Sequence, residues 1–375
     1  MVNILYALND VFRNGGTEAM VLSFYNNIDK SNFHIDFLVH GSQEENISNF
    51  THNYLLSCGS KIFYVTPRGI SYKRNKQDIR NLLKHNHFDI VHSHMDSAGM
   101  FFLKEAKKAG ISVRIAHSHN TNDQINKGNI VKNLLYKFIL KYARQKLNKY
   151  ATERIACSEL AGKWLFGKHS FVVLKNSVNL DKFRYNEAVR NDYRERLGIN
   201  DKFVIGHVGR FSEQKNHKFL IDIFNEFLKI NSNAVLLLIG EGELKDGIRQ
   251  IVNYYKIQNR VVFMGNRTDV NNVLQAMDVF LMPSKFEGLS VVLVEAQTSG
   301  LPCLVSKNMA KEAFVTANCI PYDLGKTSRE WAECLAKIAK QSNSREKAYL
   351  FVREKGYDIH DTIKVLEEIY CQSVK

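Results

Sequence analysis

The sequence predicts an α/β protein made of two doubly wound, parallel-sheet domains facing a central cleft. Three observations carry this. Short runs of Val, Ile and Leu recur without polar alternation, as strands buried on both faces require. Helical patterns fill the intervals, and strand–helix alternation is the mark of a parallel sheet. The alternation comes in two blocks split by a polar stretch, and 375 residues exceed one ordinary core.

In chain order, the first block offers NILYAL (3–8), HIDFLVH (34–40), KIFYVT (61–66) and FDIVHSH (88–94) as strands. SVRIAHSH (112–119), ERIACS (153–158) and FVVLKN (171–176) complete it. The second block offers FVIGHVGR (203–210), AVLLLIG (234–240), VVFMG (261–265), DVFLMPS (278–284) and PCLVS (302–306). Helical patterns include Asn216 to Lys229 and Ala332 to Gln341. The polar stretch 179–202 separates the blocks and is expected to contain the linker, which places the domains at 1–185 and 186–355. Ligands of open parallel sheets bind beyond the carboxyl ends of the strands.

Hydrophobic residues make up 45% of the chain and charged residues 24%, the proportions of a soluble globular protein. No apolar run approaches the roughly 18–20 residues of a spanning helix. The opening MVNILYALND reads as a buried strand and not as a basic leader, so a cytoplasmic location is expected. Six scattered cysteines fit free thiols in a reducing compartment better than a disulfide scaffold or a zinc site. GEGELKDG (240–247) lacks dinucleotide-binding spacing, and no P-loop or Asp-x-Asp metal motif occurs, so neither metal nor cofactor is expected. The net charge of +14 is uneven: 26 Lys+Arg face 15 Asp+Glu through residue 187, against 26 and 23 thereafter. An anionic partner is expected for the first half.

Several segments carry chemistry. PSKFEGLSVVLVEAQTSG (283–300) fits loop, helix and stop, with Ser290 as N-cap and Gly300 ahead of Pro302 as terminator. Glu287 then lies in the loop and Glu295 in the second turn, on the order of 10 Å apart at about 1.5 Å rise per helical residue. That matches the reach from sugar to ribose in a nucleotide sugar; carboxylates accept from vicinal hydroxyls, while helix N-terminal amides favour the phosphates between them. The bland alternative is a pair of solvated acids near a helix start. GHVGRFSEQKNH puts Arg210 and Lys215 after a buried strand, where two cations can neutralise a diphosphate leaving group. NDVFRNGGTEAMV follows the first strand, and Gly15 and Gly16 allow close backbone approach to a ligand. His92/His94 and His117/His119 would each face one way along a strand. A metal site there lacks accompanying carboxylates, so strand-end histidines are preferred, with His117 hydrogen-bonding a substrate hydroxyl. Residues 127–149 hold seven basic residues and no acid. Val131, Leu134, Leu135, Phe138, Ile139 and Tyr142 share one helical arc, away from Lys137, Lys141 and Arg144. An amphipathic helix on an anionic membrane and an ordinary helix packed on the sheet both fit. No nucleic-acid recognition motif is present, and no nucleic-acid partner is expected.

These segments together resemble the retaining glycosyltransferases of family 4, of GT-B fold with two Rossmann-like domains, over nearly the whole chain. EGLSVVLVE is similar to the family's E-x7-E signature, and GRFSEQKN to its G-R-x4-K-N phosphate motif. ACSE, LKNSVNLDKF and LIGEGEL also resemble family segments, although Ser177 and Ser290 depart from the usual pattern. The resemblance implies that Glu287 holds donor-sugar hydroxyls and Glu295 the ribose. Arg210 and Lys215 would hold the diphosphate with the amides of Gly288, Leu289 and Ser290. Gly16 would approach the phosphate or acceptor, His117 the sugar, and Arg267 would flank the base. It further implies that 356–375 is a terminal helix crossing back to the first domain. The expected activity is a metal-independent, retaining hexosyl transfer from a UDP-sugar to a glycan or lipid-linked acceptor. It would serve capsule or exopolysaccharide synthesis, with peripheral attachment to the inner face of the plasma membrane. A sugar phosphorylase of related fold and a non-catalytic glycan-binding subunit are the alternatives.

Overall fold

Successive residues of the first strand enter different cores: Ile4 and Tyr6 join one apolar cluster, Leu5 and Ala7 another. A strand covered on both faces has no use for polar alternation, which is why the run reads as it does. The computed structural model describes residues 1–9, 16–44, 50–119, 130–287, 289–340 and 344–374.

The chain forms two units, Met1–Asn176 with Ile359–Lys375, and Ser177–Asp358. The first begins β1 (Val2–Ala7), α1 (Gly16–Asn27), β2 (Phe33–His40), α2 (Phe50–Ser57) and β3 (Ile62–Val65). It continues through α3 (Tyr72–His85), β4 (Ile90–Ser93), α4 (Gly99–Lys108), β5 (Val113–Ser118) and α5 (Ile130–Tyr150). β6 (Glu153–Ala156), α6 (Glu159–Phe166) and β7 (Val172–Val173) follow. The second unit starts with α7 (Leu180–Phe183), α8 (Glu187–Arg196), β8 (Phe203–Val208), α9 (His217–Ile230) and β9 (Ala234–Ile239). Then come α10 (Lys245–Tyr254), β10 (Val261–Gly265), α11 (Val270–Ala276), β11 (Val279–Met282) and α12 (Val291–Thr298). β12 (Cys303–Ser306), β13 (Cys319–Tyr322), α13 (Ser328–Ala339) and α14 (Ala348–Glu354) lead to α15 (Ile359–Val374).

Both sheets are parallel throughout, ordered β3-β2-β1-β4-β5-β6-β7 and β10-β9-β8-β11-β12-β13. Each order reverses once, between β1 and β4 and between β8 and β11. Neighbouring crossovers diverge there, and a crevice opens beyond the carboxyl ends of the two strands. α15 packs on the first unit's core through Ile359, Ile363, Leu366 and Tyr370.

Two elements differ from the sequence reading, and a third decides between alternatives it left open. Residues 179–202 are not an open linker: they carry α7 and α8, whose surroundings bury Phe183 and Ile199 in the second core. β13 escaped notice because Pro321 interrupts CIPY; Pro is tolerated where the strand lies at the sheet edge. On α5, Leu140, Ala143 and Leu147 are buried, whereas Leu134, Leu135, Phe138, Ile139 and Tyr142 are exposed. The arc singled out from the sequence therefore faces outward; Val131's side chain and residues 127–129 lie outside the described residues.

Candidate active site

The second unit's switch point gathers the cationic motif and the first acid. Arg210 and Lys215 follow β8, Glu287 follows β11, and these strands are paired neighbours. The two loops are laced together: Lys285 N donates to Gln214 O at 2.8 Å, Gln214 Nε2 to Phe286 O at 3.2 Å, and Asn216 Nδ2 to Pro283 O at 3.1 Å. Asn216 adopts the left-handed conformation at φ 58°, which Asn tolerates better than most residues. Lys215 Nζ thereby sits 2.8 Å from Glu287 Oε1, with side-chain exposures of only 16% and 9%. Main-chain contact with Met309–Ala310 anchors Glu287 from the other side. Beneath Lys215, His207 and His217 are held neutral: burial first, then their charged neighbours, lower both, His217 to about 4.

Arg210 does not join this pair. It is largely exposed, with Nη2 3.1 Å from Glu243 Oε2. Gly240 and Gly242 keep the loop beside it closely packed, for a Cβ on either would meet the backbone of Gly209 or Phe211 within 2.5 Å. Arg267 follows β10 and forms a two-pronged pair with Asp269, at 2.7 and 2.6 Å, while Tyr193 Oη donates to the same carboxylate.

Gly288 lies outside the described residues, Leu289 is partly buried against Val294 and its neighbours, and Ser290 is the N-cap residue of α12. Its hydroxyl does not cap; it turns inward to Met282 Sδ at 3.8 Å. The helix start thus lacks a side-chain acceptor of its own, and an anion there meets no competing oxygen from Ser290. Glu295, one helical turn further on, is pushed up to about 7 by burial, with nearby Lys182 opposing.

In the first unit, Gly16 opens α1, and among the described residues nothing lies within 4 Å of a Cβ position there. His92, His94, His117 and His119 form a two-by-two array at the carboxyl ends of β4 and β5. His92 stacks on His94 with centroids 4.1 Å apart, and His117 on His119 at 4.2 Å. Burial, then the neighbouring imidazoles, hold His92, His94 and His117 far below the usual histidine range; burial alone takes His119 to about 3. Ligating nitrogens of His92, His94 and His117 lie within 4.8 Å of one another. Both His92 nitrogens are already engaged, by Tyr370 Oη at 2.7 Å and His117 Nδ1 at 3.2 Å, so an ion would have to displace a hydrogen bond. Asp96, at φ 46°, accepts the backbone N–H of His119 at 2.8 Å. Asp96 and Asn216 were missed in the sequence; being Asn or Asp beyond a buried strand was the signal each offered.

A cavity of about 570 Å³ lies at the opposite, amino edge of the second sheet, lined by Arg190, Arg194, Asp278 and Arg345 among others. Its guanidinium groups are committed to the carbonyls that close α11, from Leu274 to Met277.

Comparison with known proteins follows the same division. The description "Glycosyltransferase Family 4" matches residues 14–182 and "Glycosyl transferases group 1" matches residues 189–349. EpsF of Bacillus subtilis (strain 168), classed by name with the glycosyltransferases, is 32% identical over 98% of this chain and 96% of its own. An Escherichia coli UDP-Gal:alpha-D-GlcNAc-diphosphoundecaprenol alpha-1,3-galactosyltransferase is 32% identical over 60% of this chain and 59% of its own. Among solved structures, HepE of Anabaena in complex with UDP covers 99% of this chain and 100% of its own at TM-score 0.76 and 18% identity, a likeness of fold. With a full-length relative at 32% identity and both units matched, the chain belongs to the family-4 glycosyltransferases, enzymes of GT-B fold.

Proposed function

We propose that the protein moves a hexosyl group, with retention, from a UDP-sugar to a lipid-linked saccharide during capsule or exopolysaccharide synthesis. The observation that carries this is the Lys215–Glu287 pair at the β8/β11 switch point, with α12 starting beside it. Rupture of the sugar–phosphate bond leaves a diphosphate, and Lys215, Arg210 and the amides around Gly288, Leu289 and Ser290 offset its developing charge. Such groups do electrostatic work that a metal performs elsewhere, so transfer should persist in a chelator. Glu287 holds a hydroxyl of the donor sugar, Glu295 the ribose hydroxyls, and Arg267, once released from Asp269, flanks the base. Gly16 is assigned to the phosphate or the acceptor, and His117 to the sugar. The acceptor hydroxyl attacks the anomeric carbon on the face the diphosphate leaves, and the departing phosphate oxygen takes the hydroxyl proton. UDP in the Anabaena structure and the lipid diphosphate in the E. coli relative's name support donor and acceptor classes. Calorimetric titration with a panel of nucleotides tests the donor: UDP is expected to bind more tightly than GDP, and absence of binding to any nucleotide overturns the reading.

The lipid-linked acceptor draws support from α5. Its exposed arc includes Phe138 at 64% and Leu135 at 61% exposure, bordered by exposed Lys137, Lys141 and Lys149. Apolar groups ringed by lysines suit the headgroup region of an anionic bilayer. Among the described residues no helix is long and apolar enough to cross a membrane, so contact would be peripheral. The wild type is expected to float with phosphatidylglycerol vesicles at low salt, and Phe138→Glu with Ile139→Glu to remain in the soluble fraction. Equal flotation of both proteins removes the membrane role of this face.

A further inference from the structure

His117 stands at one end of a buried hydrogen-bond chain, and the chain has a direction. Tyr6 Oη lies 2.7 Å from Tyr370 Oη, Tyr370 Oη 2.7 Å from His92 Nδ1, and His92 Nε2 3.2 Å from His117 Nδ1. The four side chains come from β1, α15, β4 and β5, and each residue is fully buried. His117 Nε2 is buried too and meets no partner among the described residues.

Each imidazole is neutral and carries one N–H, so the link between His92 and His117 runs in one of two directions. In one, Tyr6 donates to Tyr370, Tyr370 to His92 Nδ1, and His92 Nε2–H to His117 Nδ1; the proton of His117 then sits on Nε2. In the other, His117 Nδ1–H donates to His92 Nε2 and His92 Nδ1–H to Tyr370 Oη, His117 Nε2 is a bare acceptor, and the hydroxyl proton of either Tyr6 or Tyr370 needs an acceptor outside the chain. Among the described residues Tyr6 Oη meets none besides Tyr370, and Tyr370 Oη none besides Tyr6 and His92. The reversed chain leaves a buried hydroxyl donor stranded as well as the His117 nitrogen, whereas the forward chain leaves one free group, at His117 alone. A buried donor without an acceptor is costly, so the forward arrangement prevails.

We propose that Tyr370 and His92 are positioning residues that lock His117 as the Nε2–H tautomer, so that it presents a hydrogen-bond donor to an oxygen of the transferred sugar. This rests on the reading of His117 as a sugar contact. The consequence is specific. The group cannot serve as a general base, because its free nitrogen already carries the proton. It selects for a sugar oxygen that accepts a hydrogen bond at that place, and removal of the oxygen strands the buried N–H. The helix that closes the chain, α15, thereby supplies the end of the first unit's site through Tyr370.

The test uses the full-length protein labelled with ¹⁵N in its histidine rings, with the His117 signals assigned by their loss in His117→Gln. In the wild type the proton is expected on Nε2 and the bare nitrogen at Nδ1 across pH 6–8; a proton found on Nδ1 overturns the relay. Tyr370→Phe is expected to give mixed tautomers and to lower kcat about tenfold with KM for the nucleotide sugar unchanged, as loss of one well-placed hydrogen bond predicts. Tyr6→Phe keeps the Tyr370 donor and is expected to retain the wild-type tautomer and most of the turnover. In a His117→Gln background, Tyr370→Phe should cost nothing further, and a full additional loss there overturns the positioning role. Should Tyr370→Phe fail to fold, the wild-type and Tyr6→Phe spectra still decide the tautomer. Unchanged turnover in His117→Gln overturns the sugar contact instead, so the two failures are told apart.

Discussion

Lys215→Ala is expected to lower kcat for sugar transfer by about 10³-fold, the scale on which a preorganised group facing developing charge acts. The same change should destabilise the protein by about 2 kcal/mol, below the range for fully buried pairs because both side chains retain some exposure. The loss arises from Glu287, whose carboxylate loses the ammonium 2.8 Å away and has little water to replace it. Adding Glu287→Gln to Lys215→Ala removes the stranded charge, so Tm should recover while turnover stays low. Measuring Tm and kcat for the two single variants and the double variant checks this. If Glu287→Gln restores no stability to Lys215→Ala, the ion pair is not holding the loop.

Glu295→Gln should weaken UDP binding by about 10- to 100-fold, since a carboxylate accepting from ribose hydroxyls contributes roughly 1.5–3 kcal/mol. Stability should move the other way. Burial raises this carboxyl from the model-peptide value of 4.5 to about 7, so between those two pH values the folded protein holds a proton that the unfolded chain has lost. Stability therefore declines as pH rises from about 4.5 to 7 and stays reduced above, by about 3 kcal/mol for a shift of this size. Glutamine removes that dependence, and at pH 8 the variant should melt higher by on the order of 5 °C. Wild-type UDP affinity should rise through pH 7 as the carboxylate forms, while the variant's affinity stays flat. Melting curves and titration calorimetry at pH 5, 6, 7 and 8 read both trends, and a stability loss in Glu295→Gln at pH 8 would contradict the burial argument.

Much of this was legible in the residues themselves. The twelve strand runs declare a parallel sheet because both their faces are apolar, and each of them contains an observed strand, although FVVLKN yields only Val172–Val173. The E-x7-E spacing put one acid in a loop and the other in a helix, as found, and the glycine-bearing motifs fell at strand ends. These features depend on neighbours within a few residues, where spacing along the chain fixes spacing in space.

The remainder depended on strand order. Lys215 meets Glu287 because β11 is laid beside β8 although two strands, β9 and β10, intervene in the chain, which no local pattern encodes. α5 carries apolar residues on opposite sides, so periodicity offered two inward faces; packing against α4 and α6 chose Leu140, Ala143 and Leu147 and left Phe138 and Ile139 outside. The histidine pairs were visible as VHSH and AHSH, but their direction was not, since the hydroxyl that orients them arrives from Tyr370, 278 residues beyond His92. Chain pattern determined the elements and the residue types at their ends. Tertiary structure alone decided which of those ends share a crevice and which proton each buried group holds, because both follow from side chains brought together from distant parts of the chain.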